Sequence, residues 1–490
     1  MNDHYGLNCY NVRDYGAIGD GISIDSNAIN RAIEAASEQG GGTVFVPAGR
    51  YLCYSIRLKD HITLHLDSGS TLVAATPTEE RGYDLIDDAE HPGTGYQDFG
   101  HSAWKNSLIW GIGLENITIE GFGRIDGSGL VKWSEPEPGK GNKAIGLKLC
   151  RNVTIRDISI YRGGHFAILP TGVDNFTIDN VKIDSNRDGI NIDCCRNVRI
   201  SNCAVNTPND DAIVLKSSMA LGEIRDTENV TITNCHVMGF DMGTFLDGTC
   251  GRKQIAAPDF GGVTGRIKLG TESTGGFKNI TISNCIFEHC RGLALETVDG
   301  GDLENVNVSN LTMRDIVNAP IFLRRARRMR GPEGRPVGQF RRVNISNVIV
   351  ENSDVKYACL ITGIPGYPVE DVNLSNIRIH AEGGAGPEKA QVVVPELEDG
   401  YPDPRNFGQI PAYGFYIRHA SEIRMHQVRL SCEHADYRPA FYLEDVDGLI
   451  LDTIDMEREE SVASSFVSKD VRSFSLRSCT ERVGDETLEL

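Results

Sequence analysis

A short segment that alternates apolar and polar residues recurs along most of the chain. Most copies begin with Asn, an apolar residue, a polar residue and Ile or Val, and a further Asn or Asp follows, as in NVTIRDISI from Asn152 and NFTIDNVKI from Asn175. Further copies begin at Asn197, Asn229, Asn279, Asn305, Val343 and Val372. A period of two puts successive side chains on opposite faces of a strand, so each copy predicts strand, turn and strand rather than helix.

The spacing of these copies predicts a solenoid. Steps between the second Asn of successive copies are 22, 32, 50, 26, 37 and 29 residues, and the shortest step is one bare coil. These residues are Asn180, Asn202, Asn234, Asn284, Asn310, Asn347 and Asn376. Because one coil cannot bury its own apolar face, stacked coils share a core, with Asn side chains hydrogen-bonded between coils. The predicted fold is all-β, a single domain over residues 1–490.

The start of the chain has a different pattern. From about Ser26 to Glu38 the apolar residues fall on one helical face, and Gly40 to Gly42 end the helix before a strand from Thr43 to Val46. Residues from about 10 to 60 are therefore predicted to form an N-terminal capping helix and the first coil. Stacked coils follow from about 105 to 480, with long loops expected on one face at 135–142, 325–338 and 383–407.

Composition and charge limit the expected binding partners, the state of the thiols and the location of the protein. A net charge of -19 opposes binding to nucleic acid and to anionic membranes. Thirteen scattered cysteines favour reduced thiols, including a buried stack of Cys203, Cys235 and Cys285. The first eight residues lack a basic and apolar signal pattern, so a cytoplasmic location is expected. The sequence leaves a homo-oligomer open.

Three carboxylates form the candidate catalytic site. Asp188 lies 22 residues before Asp210, one bare coil, and Asp211 follows directly, so the three are expected to converge on one patch. Mutual repulsion should raise at least one pKa and keep a proton available, as glycoside hydrolysis requires. A solvated turn and a calcium site are the alternative interpretations. No cofactor and no resident metal are expected.

The same residues resemble glycoside hydrolase family 28, the polygalacturonases and their relatives. Asn186-Arg187-Asp188-Gly189 is similar to the family's Asn-Thr-Asp-Gly motif, and Asn209-Asp210-Asp211 to its Asp-Asp motif. GFGRIDGSG from Gly121 and VRDYGAIGDG from Val12 also resemble family segments. The resemblance implies a right-handed parallel β-helix, inversion at the anomeric carbon, Asp210 as the general acid, and Asp188 and Asp211 as activators of water.

The chain departs from the family pattern at two motifs. The His of the family's Gly-His-Gly motif is missing at Val263-Thr264-Gly265, and the family's Arg-x-Lys motif falls at Ala294-Leu295-Glu296. Glu296 would repel a sugar carboxylate where the family supplies a Lys. Three nearby residues are candidates to hold a sugar acid instead, with surface strand charges as the alternative: Arg266, Lys268 and Glu272.

Other candidate binding residues lie in loops and turns. Arg324 begins a basic island in this acidic protein, for which a solvated loop or a subunit contact is the alternative. His165, 23 residues before Asp188, is predicted to line the same patch. Trp104, Trp133 and Tyr413 are either sugar-stacking or core aromatics.

The sequence therefore predicts an exo-acting glycosidase that releases a terminal galacturonate or related pectic sugar from oligosaccharides. One alternative is a glycosidase for a neutral or branched pectic sugar of the rhamnogalacturonan type. A second is a polysaccharide lyase that uses calcium and a basic residue. A third is a carbohydrate-binding solenoid that has lost catalysis.

Overall fold

The computed structural model describes residues 8–86, 101–132, 137–253, 262–484 and 486–490. These residues form two compact units. Unit 1 comprises Met1–Cys235 and Gly239–Gly265, and unit 2 comprises His236–Met238 and Arg266–Leu490. The single domain over 1–490 therefore stays a prediction.

Unit 1 is a stack of short strands with one helix. Its strands are β1 Cys9–Asn11, β2 Asp20–Ile24, β3 Gly42–Val46, β4 Gly49–Cys53, β5 Ile56–Arg57, β6 Ile62–Leu66, β7 Ser70–Ala74, β8 Ser107–Ile112, β9 Glu115–Glu120, β10 Arg124–Asp126, β11 Lys143–Lys148, β12 Arg151–Arg156, β13 Ser159–Tyr161, β14 Phe166–Thr171, β15 Asp174–Asp179, β16 Lys182–Asp184, β17 Asp188–Asp193, β18 Arg196–Ser201, β19 Ala204–Asn206, β20 Ile213–Ser217 and β21 Thr227–Thr233. A 3-10 turn spans Val12–Tyr15, and α1 spans Ser26–Glu38.

Each coil of unit 1 contributes three strands that pair in parallel with the equivalent strands of the next coil. Thus β14 pairs with β17, β15 with β18, and β16 with β19. Inward side chains of these strands, such as Ile168, Ile190 and Ile178, are fully buried. The predicted all-β parallel solenoid is confirmed, and its core lies inside the coils.

The N-terminal helix α1 covers apolar residues at the start of unit 1. Ala28, Ile29, Ala32, Ile33 and Ala36 are buried on one face, as the pattern predicts. Asn30 fastens the helix to β5, since its Nδ2 donates to the Ser55 carbonyl at 3.0 Å and its Oδ1 accepts from the Arg57 amide at 2.8 Å. The prediction of a helix from Ser26 to Glu38 is confirmed.

Of the predicted ladder, Asn234 Nδ2 donates to Asn202 Oδ1 at 3.3 Å, whereas Asn202 Nδ2 donates to Asp179 and not to Asn180. The first Asn of each copy forms a second ladder along the turns of unit 1. Asn197 Nδ2 donates to Asn175 Oδ1 at 3.2 Å, and Asn229 Nδ2 donates to Asn197 Oδ1 at 3.1 Å. Each of these residues has a positive φ of 54 to 58°. Asn tolerates this left-handed conformation better than most residues, so the ladder serves the bend as well as the contact between coils.

Unit 2 continues the same pattern with longer strands. They are β22 His236–Met238, β23 Ile267–Ser273, β24 Phe277–Glu288, β25 Leu293–Thr297, β26 Leu303–Ile316, β27 Ile321–Arg325, β28 Phe340–Ser353, β29 Cys359–Thr362, β30 Val369–Gly383, β31 Phe415–His434, β32 Phe441–Glu457, β33 Phe466–Arg477, β34 Thr480–Val483 and β35 Glu486–Glu489. A 3-10 turn spans Pro387–Gln391, and α2 spans Pro404–Phe407. Strand β35 pairs antiparallel with β34.

Stacked side chains also hold unit 2 together. The rings of Phe415, Phe441 and Phe466 follow one another on β31, β32 and β33, with centroids 5.5 and 5.3 Å apart. Asn347 Nδ2 donates to Asn310 Oδ1 at 3.0 Å, so the Asn ladder recurs here. Equivalent positions on successive coils therefore carry the same residue type because they contact each other.

The cysteines are free, as predicted, and most of them are buried. A hydrogen bond with the neighbouring Cys235 thiol, followed by burial, raises the pKa of Cys203, so these two residues lie together within unit 1. Cys9 and Cys250 are exposed. Among the described residues, no helix has the length and apolar character needed to cross a membrane.

Candidate active site

The three predicted carboxylates meet at two neighbouring turns of unit 1. Asp188 begins β17, directly after the turn that follows β16, and Asp210 and Asp211 lie in the turn between β19 and β20. Strands β16 and β19 pair in register, with Ile183 beside Val205, so the two turns are adjacent. One oxygen of each carboxylate lies within 4.8 Å of the others. The predicted convergence is confirmed.

The register of the carboxylates differs by one residue from the expected step. Strand β17 pairs with β20 so that Ile190 lies beside Ile213, a step of 23 residues, and the Gly189 amide donates to the Asp211 carbonyl at 3.1 Å. Asp188 therefore lies beside Asp211, and the prediction that it shares its angular position with Asp210 is wrong. The turn after β19 is one residue longer than the turn after β16, which shifts Asp210 toward solvent.

Two cations lie beside the carboxylates. Arg187 Nη2 is 2.7 Å from Asp210 Oδ2, and Lys216 Nζ is 3.8 Å from Asp188 Oδ2. Burial and the charge of Asp210 raise the pKa of Asp188, with Asp211 adding to the rise, while Lys216 and Arg187 oppose it. Asp188 Oδ1 is buried without a hydrogen-bond partner. Desolvation thus favours a proton on this carboxyl group.

The carboxylate spacing would also suit a hard cation, which prefers oxygen ligands. The guanidinium of Arg187 and the ammonium of Lys216 already supply positive charge to two of these carboxylates. The arrangement therefore resembles an acid–base cluster more than a cage for calcium.

His165 lies near the same cluster, as predicted. Phe166 pairs with Asp188, so His165 lies one position earlier, level with Arg187. The His165 Nδ1 donates to the Lys132 carbonyl at 2.7 Å. Burial lowers the pKa of His165, and the charges of Arg187, Lys216 and Lys143 lower it further. The imidazole is therefore neutral, and its role in binding substrate stays a prediction.

The other predicted binding residues belong to unit 2 and form a buried charge cluster. Glu296 is fully buried, with Lys268 Nζ 3.5 Å from its Oε2 and Arg266 Nη2 3.9 Å from its Oε1. The negative charge that Glu296 introduces is therefore balanced within the protein. These contacts account for Arg266 and Lys268 without a sugar acid, so their role in substrate binding stays a prediction.

Glu272 and Arg324 extend this cluster. Arg328 Nη2 lies 3.6 Å from Glu272 Oε1, and Glu296 pairs with Arg324 across β25 and β27. Arg324 is fully buried and donates to the carbonyls of Gly363, Glu396 and Leu397. Burial lowers the pKa of Arg324 to about 10. These bonds fasten loops of unit 2 and lend no support to the predicted substrate contact.

The candidate aromatic residues are part of the core where they are described. Trp104 is 1% exposed, and its Nε1 donates to Thr171 Oγ1 at 3.0 Å. Tyr413 is 4% exposed and donates to the Glu457 carbonyl. Trp133 lies outside the described residues.

A cavity of about 310 Å³ lies in unit 1 next to the carboxylate turns. It is lined by Gly127, Ser128, Leu130, Lys132, Arg162, Gly164, Asn186 and Met242. Asn186 joins it to the catalytic turn, since Asn209 Nδ2 donates to Asn186 Oδ1 at 2.5 Å. Asn186 Nδ2 is buried without a partner. Neither Lys132 nor Arg162 forms an ion pair with a carboxylate in the described part of the chain.

The wall that carries Met242 is fixed to the coils. Asp184 Oδ1 accepts from the Gly243 amide at 2.8 Å, and its Oδ2 accepts from the amides of Phe245 and Leu246 at 3.1 and 3.0 Å. A carboxylate that accepts several amide bonds is a strong anchor. Residues 239–253 therefore close one side of the cavity as an anchored loop.

Sequence reasoning missed several residues of this site. Arg187 lies within the Asn-Arg-Asp-Gly motif, where a cation next to a catalytic acid could have been noticed. Lys216, Lys132 and Arg162 carry no local motif, because the coil stacking brings them to the site. Asn191, whose Nδ2 donates to Asp188 Oδ2 at 2.6 Å, could be found only from the register of β17.

Comparisons with known proteins agree with this geometry. A family model described as rhamnogalacturonase A/epimerase, pectate lyase-like, matches residues 9–161. A model described as right handed beta helix region matches residues 105–260 and 167–328. The predicted right-handed parallel β-helix is thereby confirmed.

Several proteins that are similar to this chain are named as polygalacturonases. A probable polygalacturonase of Vitis vinifera is 26% identical over 387 residues, which cover 75% of this chain and 73% of the relative. The exopolygalacturonase structure from Thermotoga maritima has a TM-score of 0.60 at 23% identity and covers 76% of this chain and 87% of its own. The family 28 exopolygalacturonase structure from Yersinia enterocolitica has a TM-score of 0.59 at 17% identity, covering 98% and 79%. The chain is therefore a glycoside hydrolase similar to the polygalacturonases, built as a right-handed parallel β-helix.

Proposed function

We propose that this protein is an exo-acting glycoside hydrolase that releases a terminal galacturonate or a related pectic sugar from oligosaccharides. The observation that carries the proposal is the cluster of Asp188, Asp210 and Asp211, which sets a carboxyl group of raised pKa, Asp188, beside two further carboxyl groups. Glycoside hydrolysis needs one protonated carboxyl group and one ionised partner. The names of the plant relatives and of the two exopolygalacturonase structures supply the pectic substrate.

In the proposed mechanism Asp210 protonates the leaving oxygen, while Asp188 and Asp211 activate water. The Asp210 side chain is 20% exposed and that of Asp188 4%, so Asp210 is the carboxylate that a glycosidic oxygen can approach. Its ion pair with Arg187 favours the ionised form. The proton held at Asp188 must therefore move to Asp210 when sugar binds.

Inversion is proposed from the family resemblance and not from the carboxylate spacing. Inverting glycosidases usually hold their two carboxyl groups about 6.5 to 9.5 Å apart, to leave room for water. The closest oxygens here lie within 4.8 Å. Proton NMR of the first anomer released tests this part of the proposal directly.

The cavity beside the carboxylates supports the choice of a terminal sugar acid. Its volume of about 310 Å³ is at the lower end of ligand pockets, which suits one sugar residue better than a chain. Lys132 and Arg162 offer positive charge to a carboxylate, and the unpartnered amide of Asn186 offers a donor. An anchored loop on one side agrees with attack at a chain end.

Product chromatography tests the proposed activity. The purified protein is incubated with galacturonan and rhamnogalacturonan oligosaccharides, beside Asp210→Asn and the exposed control Asp470→Asn. Single sugars should appear with the parent and the control but not with Asp210→Asn. Release of internal fragments would contradict exo action, and no release from any substrate would contradict hydrolysis of pectic chains.

The roles of the carboxylates can be separated with leaving groups of different acidity. A dinitrophenyl galacturonide needs little protonation on departure, whereas an oligosaccharide needs a general acid worth about 10² to 10⁴ in rate. Asp210→Asn should lose that factor on oligosaccharides and much less on the aryl substrate. Asp188→Asn should lose activity on both. The opposite pattern would make Asp188 the acid.

A glycosidase for a rhamnogalacturonan-type sugar is the second candidate. Two observations favour it: the match of residues 9–161 to a model named for rhamnogalacturonase A, and Glu296 in place of a cation. Release of sugar from rhamnogalacturonan fragments but not from galacturonan would select this candidate.

The remaining alternatives give different results in the same assay. A lyase would form an unsaturated product with a new ultraviolet absorbance and would lose activity on calcium removal. A non-catalytic solenoid would bind oligosaccharides equally well as the parent and as Asp210→Asn, without turnover. The cytoplasmic location expected from the sequence stays a prediction, which fractionation of the source cells tests.

A further inference from the structure

We propose that His101 is a positioning residue that orients the Asn191 amide toward Asp188, and so prepares Asp188 for its part in the proposed hydrolysis. The inference rests on the proposed function of Asp188 as an activator of water. His101 itself contacts no carboxylate of the catalytic cluster in the described structure. It acts through Asn191, which lies between them.

The contacts form a chain of buried side chains. Asn191 Nδ2 donates to Asp188 Oδ2 at 2.6 Å, and Asn191 Oδ1 lies 3.3 Å from His101 Nε2. His101 and Asn191 are both fully buried, and Asp188 is 3% exposed. Because water does not reach the two amide contacts, the hydrogen bonds within the protein determine how the amide is oriented.

The chemistry of the groups fixes the direction of each bond. An ionised Asp188 can only accept, so Asn191 must present its NH₂ group to it and its carbonyl oxygen to His101. A carbonyl oxygen also only accepts, so the proton of His101 must be on Nε2. The ring in turn keeps Asn191 from rotating its oxygen toward the Asp188 carboxylate.

A second carboxylate faces the ring from the other side, beyond hydrogen-bond distance. His101 Nδ1 lies 3.7 Å from Asp193 Oδ2. Asp193 accepts from the Ser218 amide at 2.9 Å and from the Ser218 hydroxyl at 2.5 Å. Strand β17 carries both Asn191 and Asp193, so one strand supplies the two groups between which the ring is placed.

The chain offsets part of the cost of ionising Asp188. The charged groups that act on Asp188 are Asp210 and Asp211, which raise its pKa together with burial, and Lys216 and Arg187, which lower it. The Asn191 donor adds a contact that favours the ionised form. The Asn191 contact therefore favours transfer of the proton from Asp188 to Asp210, which puts the general acid in its protonated form.

The activity test compares His101→Ala, His101→Gln and the exposed control His426→Ala. In the complex with sugar, Asp188 has passed its proton to Asp210 and must stay ionised to activate water, so kcat declines as pH falls through the pKa of Asp188 in that complex. Loss of the oriented donor raises that pKa. In His101→Ala the acidic limb of kcat should move up by about one pH unit, an approximately tenfold loss of rate on that side. His101→Gln retains an N–H for Asn191 and should return the acidic limb most of the way to its position in the parent protein. A limb unchanged in His101→Ala, with thermal unfolding also unchanged, would overturn the proposal.

A second measurement does not depend on turnover. Nitrogen-15 NMR of labelled histidine reports which ring nitrogen carries the proton, and the His101→Ala spectrum assigns the signal. A protonated Nε2 on His101 is expected, and a ring protonated at Nδ1 alone would overturn the inference. If the parent releases no sugar from any substrate while His101 carries its Nε2 proton, the proposed function fails and the hydrogen-bonded chain stands.

Discussion

At the scale of single residues, two aspartate side chains differ in burial and in charged neighbours because they occupy different turns. Asp188 is buried against Asn191 and Lys216, whereas Asp210 is partly exposed and paired with Arg187. The coil period was sufficient to predict that the carboxylates converge. It could not predict Lys216 as a neighbour, because this residue reaches the site through stacking, whereas Arg187 lies within the Asn-Arg-Asp-Gly motif.

Removal of the Lys216 charge should change the pH dependence in a defined direction. Lys216 lowers the pKa of Asp188, so Lys216→Met should raise this pKa and move the acidic limb of kcat, measured at saturating substrate, to higher pH by about half to one unit. The pH profile of oligosaccharide release measures the limb. Lys182→Met, an exposed change on β16, should leave it in place, and a downward shift in Lys216→Met would contradict the electrostatic argument.

The cations of the cavity should determine the preference for acidic sugars. If Lys132 and Arg162 contact the sugar carboxylate, changing both to Gln removes charge-assisted hydrogen bonds worth about 1.5 to 3 kcal/mol each. KM for a galacturonate oligosaccharide should then rise by at least about tenfold, while a neutral glycoside is unaffected. Lys140→Gln, in the same loop, is the matched control, and an equal effect on both substrates would contradict a carboxylate contact.

At the scale of elements, the recurring Asn explains why the coils could be found in the sequence. The Asn side chain meets two needs at once, a left-handed bend and a hydrogen bond to the next coil, so the residue recurs visibly. The turn between β19 and β20 has no such marker. Its one extra residue moved Asp211 beside Asp188, and the sequence period could not show this shift.

The two contributions of a ladder Asn can be measured apart at Asn197. Asn197→Ala loses two side-chain hydrogen bonds and strains a residue with φ of 58°, so unfolding free energy should fall by about 1 to 3 kcal/mol. Asn197→Gly loses the bonds but adopts this φ readily, and should cost less. Thermal unfolding of both variants measures the difference. Equal losses would show that the bend contributes nothing.

At the scale of the whole molecule, much of the positive charge is used internally. Lysine and arginine total 49 against 68 acidic residues, and buried arginines such as Arg324, Arg328 and Arg438 bind loop carbonyls or carboxylates. The basic island could be predicted from the sequence, but the burial of Arg324 and Arg325 within it could not. Loops distant in the sequence provide its acceptors, and no local pattern marks them.

The excess negative charge should slow the approach of an acidic substrate. With a net charge of -19, long-range repulsion opposes a galacturonate oligosaccharide, and salt screens it over about 10 Å at 0.1 M. A rise in ionic strength from about 10 to about 150 mM should therefore increase kcat/KM for this substrate. A neutral aryl glycoside is the comparison and should show little change. A fall for the acidic substrate would mean that the local cations dominate.

Two of the cysteine thiols are exposed and can therefore be labelled chemically. Eleven of the thirteen cysteines are buried or half-buried, and a maleimide dye reacts with thiolates that solvent can reach, so labelling should select Cys9 and Cys250. Cys250 lies in the anchored loop that lines the cavity, where its amide donates to the Thr244 carbonyl at 2.9 Å. A fluorophore placed there would report the arrival of a sugar by its emission, in a protein with no engineered residue.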